Sequence, residues 1–160
     1  MGRCAVLILV GSRSDREVMA ETERTLEWFG VSSELVVASA HREPEKVRAL
    51  ARKARERGVR VIVAAAGMAA HLAGAVASHT TLPVVGVPLM SEPFGALDSL
   101  LSIVQMPPGV PVGVVSAGRA GAVNAALLAV EILALTDRSL ARKLEQYRKG
   151  LAAEKPEQTK

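Results

Sequence analysis

The feature that most constrains the fold is a series of five short apolar runs, each ending in small and polar residues. The runs are CAVLILV (4–10), ELVVASA (34–40), VRVIVAAAG (59–67), LPVVGVPLM (82–90) and VPVGVVSAG (110–118). Their apolar residues are consecutive and often β-branched, which is typical of strands covered on both faces. We therefore expect five buried strands in a parallel sheet.

Segments with helical composition separate these runs. They cover residues 14–29, 44–57, 68–79, 95–104 and 119–136, and a charged helix over about 138–153 follows. Strand alternating with helix predicts an α/β protein, a three-layer αβα sandwich with right-handed crossovers. We expect a single catalytic domain over 1–160, with an extra C-terminal helix and a frayed tail at about 154–160.

Local signals mark the ends of the first two helices. Ser14 and Glu17 have the spacing of a capping box, and the helix they begin ends at Gly30. Pro44 suits the first turn of the second helix, which stops at Gly58.

Composition narrows the classes of partner. The net charge is +4, but aromatic residues make up only 2% of the chain, too few for a platform that stacks single-stranded bases. Much of the positive charge lies in 48–60, which is more typical of a solvated helix face than of a nucleic-acid patch. We therefore expect no nucleic-acid partner.

The single cysteine, Cys4, excludes an internal disulfide and fits a reducing compartment. We expect Cys4 to pack as a small hydrophobe in the first strand. The N-terminus lacks a secretory pattern, and no run reaches 18 apolar residues. These features predict a cytoplasmic protein with no membrane partner.

Polar residues gather where the predicted strands end. The five segments are GSRSD (11–15), SAHREP (39–44), AAGMAAHLAG (65–74), PLMSEPFGALDS (88–99) and SAGRAGAVN (116–124). In a parallel sheet the carboxyl ends of the strands lie at one edge, where ligands bind. We expect these segments to form one site.

The first segment has two interpretations. Its backbone N–H groups and hydroxyls stand at a helix start, a natural anion site, and Asp15 suits a sugar diol. Ser12, Ser14 and Asp15 are equally typical of helix caps. Both interpretations remain open on this motif alone.

The charged and titratable residues in these segments also have two interpretations each. Arg42 suits bidentate binding of a phosphate or is a solvated loop charge. His41 suits proton transfer, since histidine is the side chain that most readily exchanges protons near neutral pH, or is a hydrogen-bonded bystander. His71 contacts a loop or the substrate, or packs as a satisfied side chain, and His79 is expected in a surface turn.

The sequence lacks the residues that several other kinds of site require. The sequence has no GxxxxGK[ST] loop and no GxGxxG after a strand, and three scattered histidines with one cysteine do not predict a metal site. A receiver domain needs acids where Val10–Gly11 and Ala66–Gly67 stand. An FMN site needs aromatic residues, and these loops offer only Phe94. We expect the methionines, Met19, Met68, Met90 and Met106, to fill gaps in the core.

Taken together, five ordered motifs resemble the N5-carboxyaminoimidazole ribonucleotide mutase family of de novo purine synthesis. They are GSRSD, SAHREP, AGMAAHLAG, DSLLSIVQMP and GRAGAVNAALLA, and the likeness runs from about residue 6 to 136. The AAHL element at 69–72 resembles the mutase branch rather than the direct carboxylase branch. The resemblance implies a flavodoxin-like fold and a homo-octamer.

The resemblance also implies the chemistry and its residues. A carboxylate moves from N5 of the ribonucleotide to ring carbon C4 through a CO₂ intermediate, without cofactor or metal. His41 is the implied proton shuttle. The implied substrate-binding residues are Ser12, Ser14, Ser39 and Arg42 at the phosphate, Asp15 at the ribose, and the loop containing Gly67 and His71 at the ring. A C-terminal helix with Leu140, Leu144 and Tyr147 on one face is expected to dock on a neighbouring subunit.

Four residues depart from the family pattern. Glu43 stands where threonine is usual, which we expect to raise the pKa of His41 or to compete for Arg42. Ala65 and Met68 replace glycine-rich sequence, and Ala96 lies in an altered step before Asp98. Two rival functions are a direct aminoimidazole ribonucleotide carboxylase and a non-catalytic module that binds nucleoside monophosphates.

Overall fold

A computed structural model describes residues 4–153 of the chain, and the predicted tail lies outside them. The strands are β1 (Val6–Val10), β2 (Ser33–Val37), β3 (Val61–Ala66), β4 (Val84–Pro88) and β5 (Gly113–Val114). The helices are α1 (Asp15–Phe29), α2 (Pro44–Lys53), α3 (Leu72–Ala77), α4 (Leu97–Val104), α5 (Gly118–Ala134) and α6 (Arg138–Ala153).

The five strands form one parallel sheet in the order β2-β1-β3-β4-β5. This is the flavodoxin-like order, in which the chain reverses direction across the sheet after β2. The α/β prediction, the number of strands and the extra C-terminal helix are confirmed. Strand β5 has only two residues, much shorter than the apolar run that predicted it.

Two cores lie on opposite faces of the sheet. In β1, Val6, Ile8 and Val10 face the core shared with α1 and α5, whereas Leu7 and Leu9 face the core shared with α2 and α3. All five residues of β1 are fully buried, because successive strand side chains point to opposite faces and both faces are covered. A strand covered twice is therefore apolar without alternation.

Small residues let α5 approach the sheet and α1 closely. A Cβ atom on Gly121 would overlap the backbone carbonyl of Ser116 and lie 3.1 Å from Val87 Cγ1. Nearby, the buried Thr22 of α1 donates its hydroxyl hydrogen to the carbonyl oxygen of Ala122 at 2.8 Å. The glycine- and alanine-rich sequence of α5 is thus a packing requirement.

The start of α1 differs from the predicted capping box. Ser14 already has helical backbone angles and makes no side-chain cap hydrogen bond. Its hydroxyl lies 2.6 Å from the hydroxyl of Ser12, while the carboxylate of Asp15 accepts a hydrogen bond from the backbone N–H of Ser12 at 2.9 Å. The predicted end of the helix is confirmed, since Gly30 has a left-handed φ of 76°.

The predicted face of α6 is partly covered within the same chain. Leu140, Leu144 and Tyr147 pack against the core that α1 and α5 share within the same chain. Tyr147 also makes edge contacts with Trp28 and Phe29, with ring centroids 5.7 Å apart in each pair. These contacts leave the three side chains only partly buried, and the docking of this face on another subunit stays a prediction.

Replacing Gly121 by alanine is expected to lower the free energy of unfolding by about 1–3 kcal/mol or more, because the added methyl group must displace backbone. Gly150→Ala is the matched control, since a Cβ there meets nothing within 4 Å. Removing a flexible helical glycine should raise stability by about 0.5–1 kcal/mol. Urea unfolding of both variants measures the difference, and equal stabilities would contradict the close packing of α5.

Candidate active site

A cavity of about 600 Å³ lies at the carboxyl ends of the strands. All eight residues predicted for the site line it: Ser12, Ser14, Asp15, Ser39, His41, Arg42, Gly67 and His71. Met68, Met90 and Ser91 also line the cavity; the sequence predicted their segments at this edge but assigned these three residues no binding role. Their only sequence signal was their position just beyond the ends of β3 and β4.

One end of the cavity is suited to an anion. The guanidinium of Arg42 reaches across to the carbonyl oxygen of Gly11 at 3.3 Å, which holds it beside the loop before α1. The hydroxyl of the buried Ser39 accepts the backbone N–H of Arg42 at 3.3 Å. A cation, hydroxyl groups and the N-terminus of a 15-residue helix thus meet at this end.

Asp15 borders the same end of the cavity. It is half-buried, and one of its oxygens accepts the backbone N–H of Ser12. Because an ionised carboxylate accepts up to about four hydrogen bonds, this contact leaves capacity for a pair of hydroxyl groups. Asp15 therefore shapes the loop and still presents an acceptor to a ligand.

The two cavity histidines contact each other. His41 Nε2 lies 2.8 Å from His71 Nδ1, and their rings meet edge to face with centroids 4.9 Å apart. A hydrogen bond between two ring nitrogens requires a proton on one and a lone pair on the other. One ring therefore donates an N–H to the other at this position, and each ring orients the other.

His71 comes from the loop between β3 and α3. That helix begins only at Leu72, four residues later than predicted, and residues 67–69 and His71 line the cavity before it. The backbone N–H of His71 donates a hydrogen bond to the carbonyl oxygen of Ala69 at 2.8 Å, which makes a tight turn before the helix. The loop therefore determines where the second imidazole lies.

The methionines divide into two groups. Met19 is fully buried, as predicted, and Met106 packs against Gly74. Met68 and Met90 are 65% and 68% exposed and line the cavity, so the expectation that they fill core gaps was wrong. Their backbones leave the sheet just beyond β3 and β4, where the side chains have no second layer to pack against.

Glu43, the residue that departs from the family pattern, contacts neither cavity histidine by a described hydrogen bond. Its carboxylate accepts hydrogen bonds from Lys46 Nζ at 2.9 Å and from the backbone N–H of Ser39 at 3.4 Å. The Lys46 contact, followed by the Ser39 N–H, lowers the pKa of Glu43 below its usual value. Glu43 thus braces the turn that carries His41, and Arg42 keeps its contact with Gly11.

Cys4 and His79 lie away from the cavity. Cys4 is half-buried just before β1, and burial raises the pKa of its thiol. His79 lies in the turn after α3, half-exposed. Within residues 4–153, no helix is long and apolar enough to cross a membrane.

The chain has a parallel sheet in flavodoxin-like order and a polar cavity at the carboxyl edge of that sheet. These features define it as a flavodoxin-like α/β protein. Comparison with known proteins defines the family. A model of the AIR carboxylase family matches residues 5–154. The chain therefore belongs to this family, and the relationship predicted from the five motifs is confirmed.

Individual relatives agree with the family match. The N5-carboxyaminoimidazole ribonucleotide mutase of Brucella melitensis is 52% identical over 145 residues, covering 91% of this chain and 90% of that protein. The mutase of Bacillus subtilis is 54% identical over 143 residues, covering 89% and 88%. The crystal structure of Treponema denticola PurE superposes with a TM-score of 0.84 at 28% identity, covering 93% of this chain and 92% of that chain.

Replacing Glu43 by glutamine is expected to lower the melting temperature at pH 7 and to change it little at pH 3. The pKa of the carboxyl is depressed in the folded state, so its contribution is present above its unfolded pKa and is lost as pH falls. Thermal unfolding of both proteins between pH 3 and 7 measures this. A difference that does not change with pH would show that the charge contributes nothing.

Proposed function

We propose that this chain is an N5-carboxyaminoimidazole ribonucleotide mutase, which forms 4-carboxyaminoimidazole ribonucleotide in the purine pathway that leads to IMP. The observation that carries the proposal is a single cavity that joins an imidazole pair to an anion-binding end. His41 and Arg42 are adjacent in one turn, and both line this cavity. Relatives of that name align over about nine tenths of the chain.

The reaction needs one proton delivered and one removed. Protonation of N5 breaks its bond to the carboxylate and releases CO₂ with an electron-rich aminoimidazole. Ring carbon C4 then bonds to the CO₂, and C4 loses its proton. Because the proton gained equals the proton lost, one imidazole with a pKa near the working pH serves both steps.

We assign the proton shuttle to His41. Its hydrogen bond to His71 supports this assignment, because a neighbouring ring that shares a proton holds the imidazole in one orientation. The CO₂ must stay beside C4 until the new bond forms, which requires a cavity closed to water. The apolar side chains of Met68 and Met90 at the cavity suit this requirement.

The substrate-binding roles follow the polarity of the cavity. Arg42, with Ser12, Ser14 and Ser39, is assigned to the phosphate, since a guanidinium and hydroxyls are strong donors to that group. Asp15 is assigned to the ribose hydroxyls. Gly67 is assigned to the imidazole ring, because a residue without a side chain lets a planar ring approach the backbone.

The His41→Asn variant is expected to lower kcat by a factor of about 10² to 10⁴, the usual contribution of a proton-transfer group. Its substrate should still bind, because Arg42 and Asp15 are unchanged. The assay follows 4-carboxyaminoimidazole ribonucleotide without ATP, starting from the N5-carboxylated substrate or from aminoimidazole ribonucleotide with bicarbonate.

Each outcome of the wild-type assay has a distinct meaning. Turnover of the N5-carboxylated substrate, with the other route needing high bicarbonate, supports the mutase. Efficient use of the second route alone would make the protein a direct carboxylase. No turnover on either route, with binding retained, would leave a nucleotide-binding module.

An exposed apolar face on α4 supports a homo-oligomer. Leu97, Leu100, Leu101 and Val104 lie on one side of the helix and are 38–59% exposed. The 68% exposed Phe94 precedes them beside the cavity loops. Soluble monomers rarely leave such a continuous patch uncovered. We assign this face to contact between copies, and we propose an octamer on the family resemblance.

Leu101→Glu is expected to shift the protein to a smaller assembly, because a carboxylate in an apolar contact loses its hydration. The matched control is Leu135→Glu, which adds the same charge at an 84% exposed position after α5. Light scattering coupled to size exclusion measures both masses. A monomeric wild type, or an unchanged Leu101→Glu assembly, would remove α4 from the interface.

The proposed pathway and the single cysteine agree on a compartment. Cys4 has no partner for an internal disulfide, as expected where thiols stay reduced. We propose that the protein works in the cytoplasm, where nucleotide synthesis takes place.

A further inference from the structure

The loop after β3 contains an unusual backbone conformation. Met68 has a φ of 55°, and among residues 4–153 it is the only residue other than glycine with a positive φ. This left-handed region brings the side chain close to the backbone and is normally occupied by glycine. A methionine stays there only where surrounding contacts hold it.

The hydroxyl of Ser91 is such a contact. The backbone N–H of Met68 donates to Ser91 Oγ at 3.0 Å, and Ser91 Oγ in turn lies 3.4 Å from Asp98 Oδ2. The other carboxylate oxygen of Asp98 accepts the backbone N–H of Ser99 at 2.8 Å, at the start of α4. A chain of hydrogen bonds thus connects the strained residue to a helix.

The end of β4 is itself firmly anchored. The buried hydroxyl of Ser99 lies 2.9 Å from the carbonyl oxygen of Leu89, whose N–H bonds to the carbonyl oxygen of Ala66 at 3.0 Å. The backbone N–H of Ser91 donates a hydrogen bond to the carbonyl oxygen of Gly95 at 2.6 Å. Ser91 therefore presents its hydroxyl from a segment that hydrogen bonds hold on both sides.

The loop lies alongside Ser91, close enough that an added side-chain atom would reach van der Waals contact. A Cβ built on Gly67 would lie 3.4 Å from Ser91 Cβ and 3.5 Å from the carbonyl oxygen of Leu89. Three residues beyond Met68, the same loop delivers His71 to its contact with His41. A change in φ at Met68 therefore redirects the segment that places the second imidazole.

We propose that Ser91 is a positioning residue, whose hydroxyl holds Met68 in the left-handed conformation and thereby fixes His71 against His41. The inference rests on the proposed function for its kinetic consequence, but its structural part stands on the hydrogen bonds alone. Ser91 acts through the loop and is not assigned a contact with the reacting atoms.

The kinetic test compares Ser91→Ala with Ser91→Thr. Ser91→Ala is expected to lower kcat by about 10-fold or more, since small misplacements of catalytic groups cost up to 10²-fold. The KM should change less, because the assigned phosphate and ribose contacts are elsewhere. Ser91→Thr keeps the hydroxyl and should recover most of kcat. Ser102→Ala is the control, since that hydroxyl bonds only within α4, to the carbonyl oxygen of Asp98.

Two further variants separate positioning from direct contact with the substrate. Asp98→Ala removes the far end of the hydrogen-bond chain from outside the cavity, and should reproduce part of the loss in kcat. In a Met68→Gly background, where φ of 55° carries no steric cost, the loss caused by Ser91→Ala should shrink at least threefold. Equal losses in both backgrounds, with Asp98→Ala at the wild-type rate, would overturn the proposal in favour of direct contact.

A measurement without turnover tests the structural part separately. In Ser91→Ala the amide hydrogen of Met68 should exchange at least 10-fold faster, while the amides of β3 keep their wild-type rates. Unchanged exchange at Met68 would overturn the proposal even if kcat fell. If the wild type shows no turnover, the proposed function fails, but the exchange experiment still decides whether Ser91 holds the loop.

Discussion

The covering of the parallel sheet on both faces is the constraint on which the rest of this structure depends. It requires apolar strands without alternation, and β1 meets this with five fully buried residues. It also requires helices that approach closely, which explains why Gly121 faces the backbone of Ser116 and Gly86 faces Ile103. Since all five strands run parallel, every strand ends at the same edge, and the polar loops meet there.

The cavity at that edge combines two kinds of chemistry through short segments of chain. The turn after β2 carries His41 and Arg42 next to each other, so the imidazole and the guanidinium line one cavity from a single turn. The loop after β3 supplies His71 to the first imidazole. Residues outside the imidazole pair support both loops. Glu43 supports the first through its hydrogen bonds with Lys46 and the Ser39 N–H. Ser91 supports the second through its hydrogen bond with Met68.

Much of the architecture was predictable because it follows from local patterns. Each of the five apolar runs overlaps one strand, with β2 beginning one residue before its run, at Ser33, and the glycine after α1 ends that helix in the left-handed conformation. The predictions that failed depended on contacts between distant segments. The sequence also does not show that the apolar face of α6 packs partly against the core that α1 and α5 share. The exposed Met68 and Met90 looked like core residues because composition does not indicate burial.

The sequence by itself determined the class of fold, the family and the set of polar residues at the carboxyl edge, because hydrophobic periodicity and ordered motifs are properties of neighbouring residues. Only the tertiary structure decided that His41 contacts His71, thirty residues away, and that Ser91 holds Met68. It also decided that α4 keeps an exposed apolar face. Such pairings depend on which segments the sheet brings together and on backbone angles at single residues, and neither is recorded in a local pattern.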